Sequence, residues 1–163
     1  EFLKETTIDT DFELLFPDDY INNITERLNL YTKLNELKTE EELAQFEREL
    51  IDRFGPLPVQ TEDLLNSVRI KWLALALGLE RIVMKNGSFI GYFIKDQQSG
   101  FYQGKTFGRL LQYVQNHPRK ITLKEKQTRN GLRLLLRFEK ANSVSAILKQ
   151  LQEIIPQEVS INE

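Results

Sequence analysis

Cysteine is absent from the 163-residue chain, while histidine, methionine and tryptophan each occur once and proline only five times. The missing thiols exclude disulfides, thiolate metal sites and thiol nucleophiles, and they fit a reducing compartment, so a cytoplasmic protein is expected. His117 alone cannot supply a histidine zinc set. A Ser-His-Asp nucleophile would have to recruit the same residue, but the chain holds no G-x-S-x-G elbow. His117 stands beside Pro118 at a predicted helix end, where capping or exposure accounts for it. No apolar run approaches the roughly 18 residues of a membrane span, so no membrane partner is expected. The longest candidate, Trp72–Leu77, reads as core. The opening Glu1-Phe2-Leu3 has neither methionine nor a basic leader pattern, which reads as a fragment of a longer protein.

Phosphate-loop glycines are also lacking. Gly104-Lys105-Thr106 resembles the end of such a loop, but the glycine required five residues earlier is Ser99, and Gly100 comes one position late. A helix start after a glycine turn explains the triplet. No cofactor and no catalytic residue are therefore expected in this fragment.

What is present is an ordinary globular composition, 40% hydrophobic with ten phenylalanines, and a divided charge. Residues 1–79 carry 17 acids and 8 bases, whereas residues 80–163 carry 7 acids and 14 bases. Opposed charge of this kind predicts two lobes with different surfaces. Thr7–Phe16 alternates, with Ile8, Phe12, Leu14 and Phe16 on one side, and predicts an extended strand. Pro17-Asp18-Asp19 reads as the start of a first helix through Tyr20, Ile24, Leu28, Tyr31 and Leu34. Thr39 and Glu42 form a capping box before a second helix with an apolar stripe of Leu43, Phe46, Leu50, Ile51 and Phe54. Gly55 suits a left-handed helix end, and Pro58 suits the first turn of a third helix that Gly78 stops. Gly55, Pro56 and Pro58 thus predict a rigid corner.

Two hairpin patterns follow, turning at Asn86-Gly87 and Asn130-Gly131, each succeeded by an amphipathic helix. The expected class is α+β: an N-terminal extended strand and three-helix lobe, then a ββαββα lobe with antiparallel hairpins covered by helices. The expected divisions are 1–20 as an extended lead-in, 21–79 as the three-helix lobe and 80–163 as the ββαββα lobe.

Two charged surfaces remain to be explained. On the second helix Glu49 precedes Asp52 by three residues and Arg53 by four, so the three form one ridge in which Glu49 and Arg53 can pair. Such a surface pair contributes only about 0–1 kcal/mol, and an ordinary solvated face has the same spacing. In the second hairpin, Lys120, Lys124 and Lys126 alternate with Ile121 and Leu123, and Arg133 and Arg137 alternate with leucines. One basic face results, open to two readings: an accessory nucleic-acid surface that tracks phosphates, or a solvated sheet face. No aromatic residue interleaves with these five bases along the hairpin.

Glu49–Pro58 (ELIDRFGPLP), Asn29–Leu34 (NLYTKL) and Leu64–Ile82 (LLNSVRIKWLALALGLERI) resemble the C-terminal domain of bacterial transcription-repair coupling factor. The lead-in Ile8–Ile21 resembles the segment by which that family leaves its motor domains. The likeness is strong from Ile8 to Ile82, and beyond that it lies in the order of elements. It implies a parent that is an ATP-dependent DNA translocase, using ATP and magnesium in its upstream motor. Such a parent displaces stalled RNA polymerase from DNA and recruits nucleotide-excision repair. It further implies an autoinhibitory role for this segment, packed against the excinuclease-B-like module of the same chain and masking the surface for the excinuclease A subunit. The positions matching the family's contact residues are Glu49, Asp52 and Arg53.

Overall fold

Polar caps place the helices of the first half. In the computed structural model, which describes residues 2–155, the Asn23 side chain accepts from the Glu26 backbone N–H and opens α1 (Ile24–Glu36). The helix begins later than Asp18-Asp19 had suggested, because Pro17 O instead closes a turn with the backbone N–H groups of Tyr20 and Ile21. Thr39 and Glu42 complete the predicted capping box at α2 (Glu40–Phe54). α3 (Val59–Ala76) follows, and Pro58 stands just ahead of it, its carbonyl accepting from Thr61 and Glu62.

The chain divides into two compact units, Glu13–Arg69 and Glu1–Phe12 with Ile70–Glu163. In the first, Phe16, Ile21, Leu34, Leu43, Phe46, Leu50 and Leu65 are almost fully buried. Phe16 packs against Tyr31 at 4.7 Å and Phe46 at 6.4 Å between ring centres. The buried hydroxyls of this unit are satisfied, as buried polar groups must be: Thr61 donates to Leu15 O at 3.1 Å and Ser67 to Leu64 O at 2.6 Å.

The second unit is built on a five-stranded sheet in the order β1-β2-β3-β5-β4. Its strands are β1 (Thr7–Thr10), β2 (Leu79–Lys85), β3 (Ser88–Phe93), β4 (Thr122–Thr128) and β5 (Gly131–Phe138). Asn86 and Gly87 both take positive φ (55° and 73°), as the type I′ turn between β2 and β3 requires. α4 (Lys105–Asn116) links β3 to β4, and α5 (Val144–Ile154) closes the described chain with a buried stripe of Val144, Ile147, Leu148, Leu151 and Ile154.

Two pairings go beyond what the sequence indicated. β3 and β5 join the two hairpins into one sheet, with Phe89 opposite Phe138 and Gly91 opposite Leu136. The lead-in strand is shorter than Thr7–Phe16, and it pairs in parallel with β2, Thr7 opposite Arg81 through Thr10 opposite Met84. Residues 2–12 accordingly group with the sheet, not with a separate lead-in of 1–20, and the helical unit ends inside α3 at Arg69 instead of at residue 79. One sheet face is core: Ile82, Met84, Phe89, Phe93, Leu136 and Phe138 are each 4% exposed or less. α4 lies on that face, where Phe107 meets Phe93 edge-on at 5.9 Å.

Candidate functional site

The charged ridge stands where α1 and α2 run side by side. Phe46 and Leu50 turn inward, which leaves Glu49, Asp52 and Arg53 on the outer side of the last turns of α2. Glu49 does not pair with Arg53. Its carboxylate instead accepts from Lys33 of α1 at 3.1 Å and from Gln45 at 3.3 Å. The Lys33 hydrogen bond, then that of Gln45, holds the Glu49 carboxyl below its ordinary range. Arg53 also reaches across to α1, where it pairs with Glu26, and its guanidinium lies 4.7 Å from the centre of the Phe54 ring. Side chains long enough to bridge two helices satisfy their charge there, so the predicted intrahelical pair gives way to two interhelical ones.

Asp52 is different. It is exposed, and among the described residues its carboxylate makes no ion pair. Between the helices lies a groove of about 160 Å³, with Leu30, Phe46, Leu50 and Phe54 as its apolar lining and Lys33, Glu49, Asp52 and Arg53 at its charged rim. Sequence spacing had not revealed that groove, because Leu30 belongs to another helix. On α1, Ile24 and Leu28 stand one turn apart and remain 63% and 60% exposed, a pair of large apolar side chains left in solvent.

The corner after α2 is held by one hydrogen bond and one aromatic contact. Gly55 has φ 91° and ψ −170°, so its φ is positive as predicted, but its ψ lies outside the left-handed helical region. Its carbonyl is held by the Tyr20 hydroxyl at 2.8 Å, and the Tyr20 ring packs on Phe54 at 5.8 Å. Pro56 follows exposed, and Pro58 sits one residue before the helical turn expected for it.

A family model described as the TRCF domain matches residues 10–103. The chain belongs to the transcription-repair-coupling factor family. It is 32% identical over 139 residues to the transcription-repair-coupling factor of Staphylococcus epidermidis, 80% of this chain and 12% of that protein. It is also 37% identical over 79 residues to that of Escherichia coli, 48% of this chain and 7% of that protein. The fold matches a crystal structure of the C-terminal domain of transcription-repair coupling factor at TM-score 0.66 and 20% identity, over 94% of this chain and 97% of that one. The chain therefore spans only about an eighth or less of the length of these curated relatives.

The basic hairpin is arranged differently from its sequence reading. Lys120 lies in the turn before β4, where it faces Glu153 of α5 at 3.8 Å, and so leaves the strand set. Lys124, Lys126, Arg133 and Arg137 do share a face: Lys126 opposes Arg133, Lys124 opposes Leu135, and Thr122 opposes Arg137. The same face continues onto β2 and β3 with Arg81, Lys85 and Tyr92, which were not foreseen. Tyr92 stands between two guanidiniums, those of Arg81 and Arg133, each 5.7 Å from its ring centre. The aromatic residue missing along the hairpin is thus supplied by the next strand. Alternation around the Asn86-Gly87 turn was the available signal, but it points to Tyr92 only once the hairpins are known to share one sheet. No helix among the described residues is long and apolar enough to cross a membrane.

Proposed function

We propose that this chain acts as the regulatory domain of a transcription-repair coupling factor, closing against the excinuclease-B-like module of its own parent chain and masking the surface for excinuclease A. The parent, in this reading, is an ATP-dependent DNA translocase that clears stalled RNA polymerase, with ATP and magnesium bound in its motor and none needed in this domain. The observation that carries the reading is the unpaired Asp52 carboxylate at the rim of an apolar groove. Glu49 and Arg53 are already neutralised by Lys33 and Glu26, so they shape the rim while Asp52 offers the free charge.

A groove of this kind suits a reversible clamp. Interdomain contacts within a chain are modest and polar, roughly 600–1,500 Å², and a rim charge supplies register more than affinity. Tethering raises the effective concentration of the partner surface, so a weak contact stays mostly closed until the motor rearranges on DNA. A cationic side chain facing Asp52, with an apolar neighbour in the groove, is the complementary partner surface.

The test is charge reversal in the full-length parent, Asp52→Arg together with Arg53→Glu. Opening the clamp raises basal excinuclease A binding and ATPase activity, on the order of tenfold for a contact worth about 1.4 kcal/mol. Unchanged binding and turnover in a folded double variant would remove these residues from the clamp.

A further inference from the structure

The sheet has a second face, opposite its core, and the regulatory reading leaves it without a role. Alternate residues of β2, β3, β5 and β4 point there, and they are exposed or half-buried except Leu135. Across its middle runs a row of three flat groups from three adjacent strands: the Arg81 guanidinium, the Tyr92 ring and the Arg133 guanidinium. The two guanidiniums are fixed in place. Asp9 holds Arg81 at 3.2 Å, while Glu80 at 3.3 Å and the Phe93 carbonyl at 3.0 Å hold Arg133. A register shift between Leu79 and Arg81 accompanies this placement of Glu80. Beside the row, Val83 and Ile90 add half-buried apolar surface.

Charge on this face is unevenly spent. Arg137 is matched by Glu139 at 2.8 Å, and Lys85 by Asp9 at 2.9 Å. Lys124 and Lys126, by contrast, are exposed and make no ion pair among the described residues. They stand two residues apart on edge strand β4, about 6.6 Å along the sheet border. The face therefore combines a neutralised centre, in which two guanidiniums lie over the Tyr92 ring, with a free cationic border.

We propose that this face binds single-stranded nucleic acid, its bases stacked on the Arg81–Tyr92–Arg133 row and its phosphates on Lys124 and Lys126. Bases stack on aromatic rings and on guanidinium planes alike, and such stacking tolerates any sequence. An acidic peptide would need free cations across the centre, where the structure has already paired them. Duplex DNA would keep its bases out of reach of the row, so a single strand is the better fit.

Fluorescence anisotropy of the chain with a labelled oligothymidylate, titrated with salt, tests this. Binding is expected near 50 mM salt, with log affinity falling against log salt at about −0.7 per phosphate contact, hence a shallow slope for two lysines. Tyr92→Ala weakens it on the order of tenfold, and Tyr92→Leu, which keeps apolar volume without the ring, does the same. Lys124→Glu with Lys126→Glu also weakens it, while the equally charged pair Lys105→Glu with Lys149→Glu, on α4 and α5, leaves it intact. Three results would overturn the proposal: no oligonucleotide binding, equal loss in the α4/α5 pair, or an oligoglutamate binding as tightly and indifferent to Tyr92.

Discussion

Gly55 shows how much of the α2–α3 corner is set by one backbone angle. Its φ of 91° with ψ of −170° is a conformation that residues with a side chain scarcely adopt, yet an added Cβ there would touch nothing within 4 Å. Gly55→Ala therefore isolates backbone strain from crowding and should cost about 1–3 kcal/mol in urea unfolding. Gly108 is the converse. It lies inside α4 with open space around it, so Gly108→Ala should gain about 0.5–1 kcal/mol by the same measurement. Glu40 carries a pH signature. Arg69 grips it with two hydrogen bonds of 2.7 Å, and this holds its carboxyl below the ordinary value of 4.5. A lowered folded pKa means the native state holds its proton less tightly than the unfolded chain does. The stabilisation is complete well above 4.5 and disappears as pH falls through the lowered value. Because the Glu40 side chain is 61% exposed and screened by solvent, Glu40→Gln should cost under about 1 kcal/mol at neutral pH, and the gap from wild type should close in acid titrations.

At the scale of elements, local chemistry was legible where it acts within a turn of chain. Thr39 and Glu42 announced α2, and the positive-φ pair Asn86-Gly87 announced the first hairpin. Thr39→Ala should accordingly cost about 1 kcal/mol and lower Tm by about 2–4 °C, with α2 the affected element. The start of α1 was misjudged for a reason of the same range. Asp18 and Asp19 match the charge of a helix start, but Pro17 O forms a turn there and Asn23 supplies the capping oxygen. Strand partners were not legible, because pairing is decided by residues far apart. Nothing in Thr7–Thr10 names Arg81–Met84 as its neighbour, and nothing in Ser88–Phe93 names β5. Those two pairings are what bring Arg81, Tyr92 and Arg133 to one face. The ridge at Glu49, Asp52 and Arg53 was legible as spacing, whereas its ion pairs were not, since Lys33 and Glu26 belong to α1.

At the scale of the molecule, charge follows the division into units. Glu13–Arg69 holds 13 acids against 6 bases, and the remaining residues hold 11 acids against 16 bases. The helical unit presents the groove with a free carboxylate, and the sheet unit presents the cationic face, so the two surfaces suit partners of opposite charge. The chain belongs to the transcription-repair-coupling factor family and spans 12% of its Staphylococcus epidermidis relative; the closure of the helical groove on another part of a longer chain is the proposal made above. The most direct measurement is titration calorimetry of this chain, added in trans, against the isolated excinuclease-B-like module of its parent. Weak binding is expected, on the order of micromolar, falling about tenfold or more with Asp52→Arg and unaffected by Lys124→Glu with Lys126→Glu. Binding that ignores Asp52, or no binding at any accessible concentration, would contradict the proposed clamp.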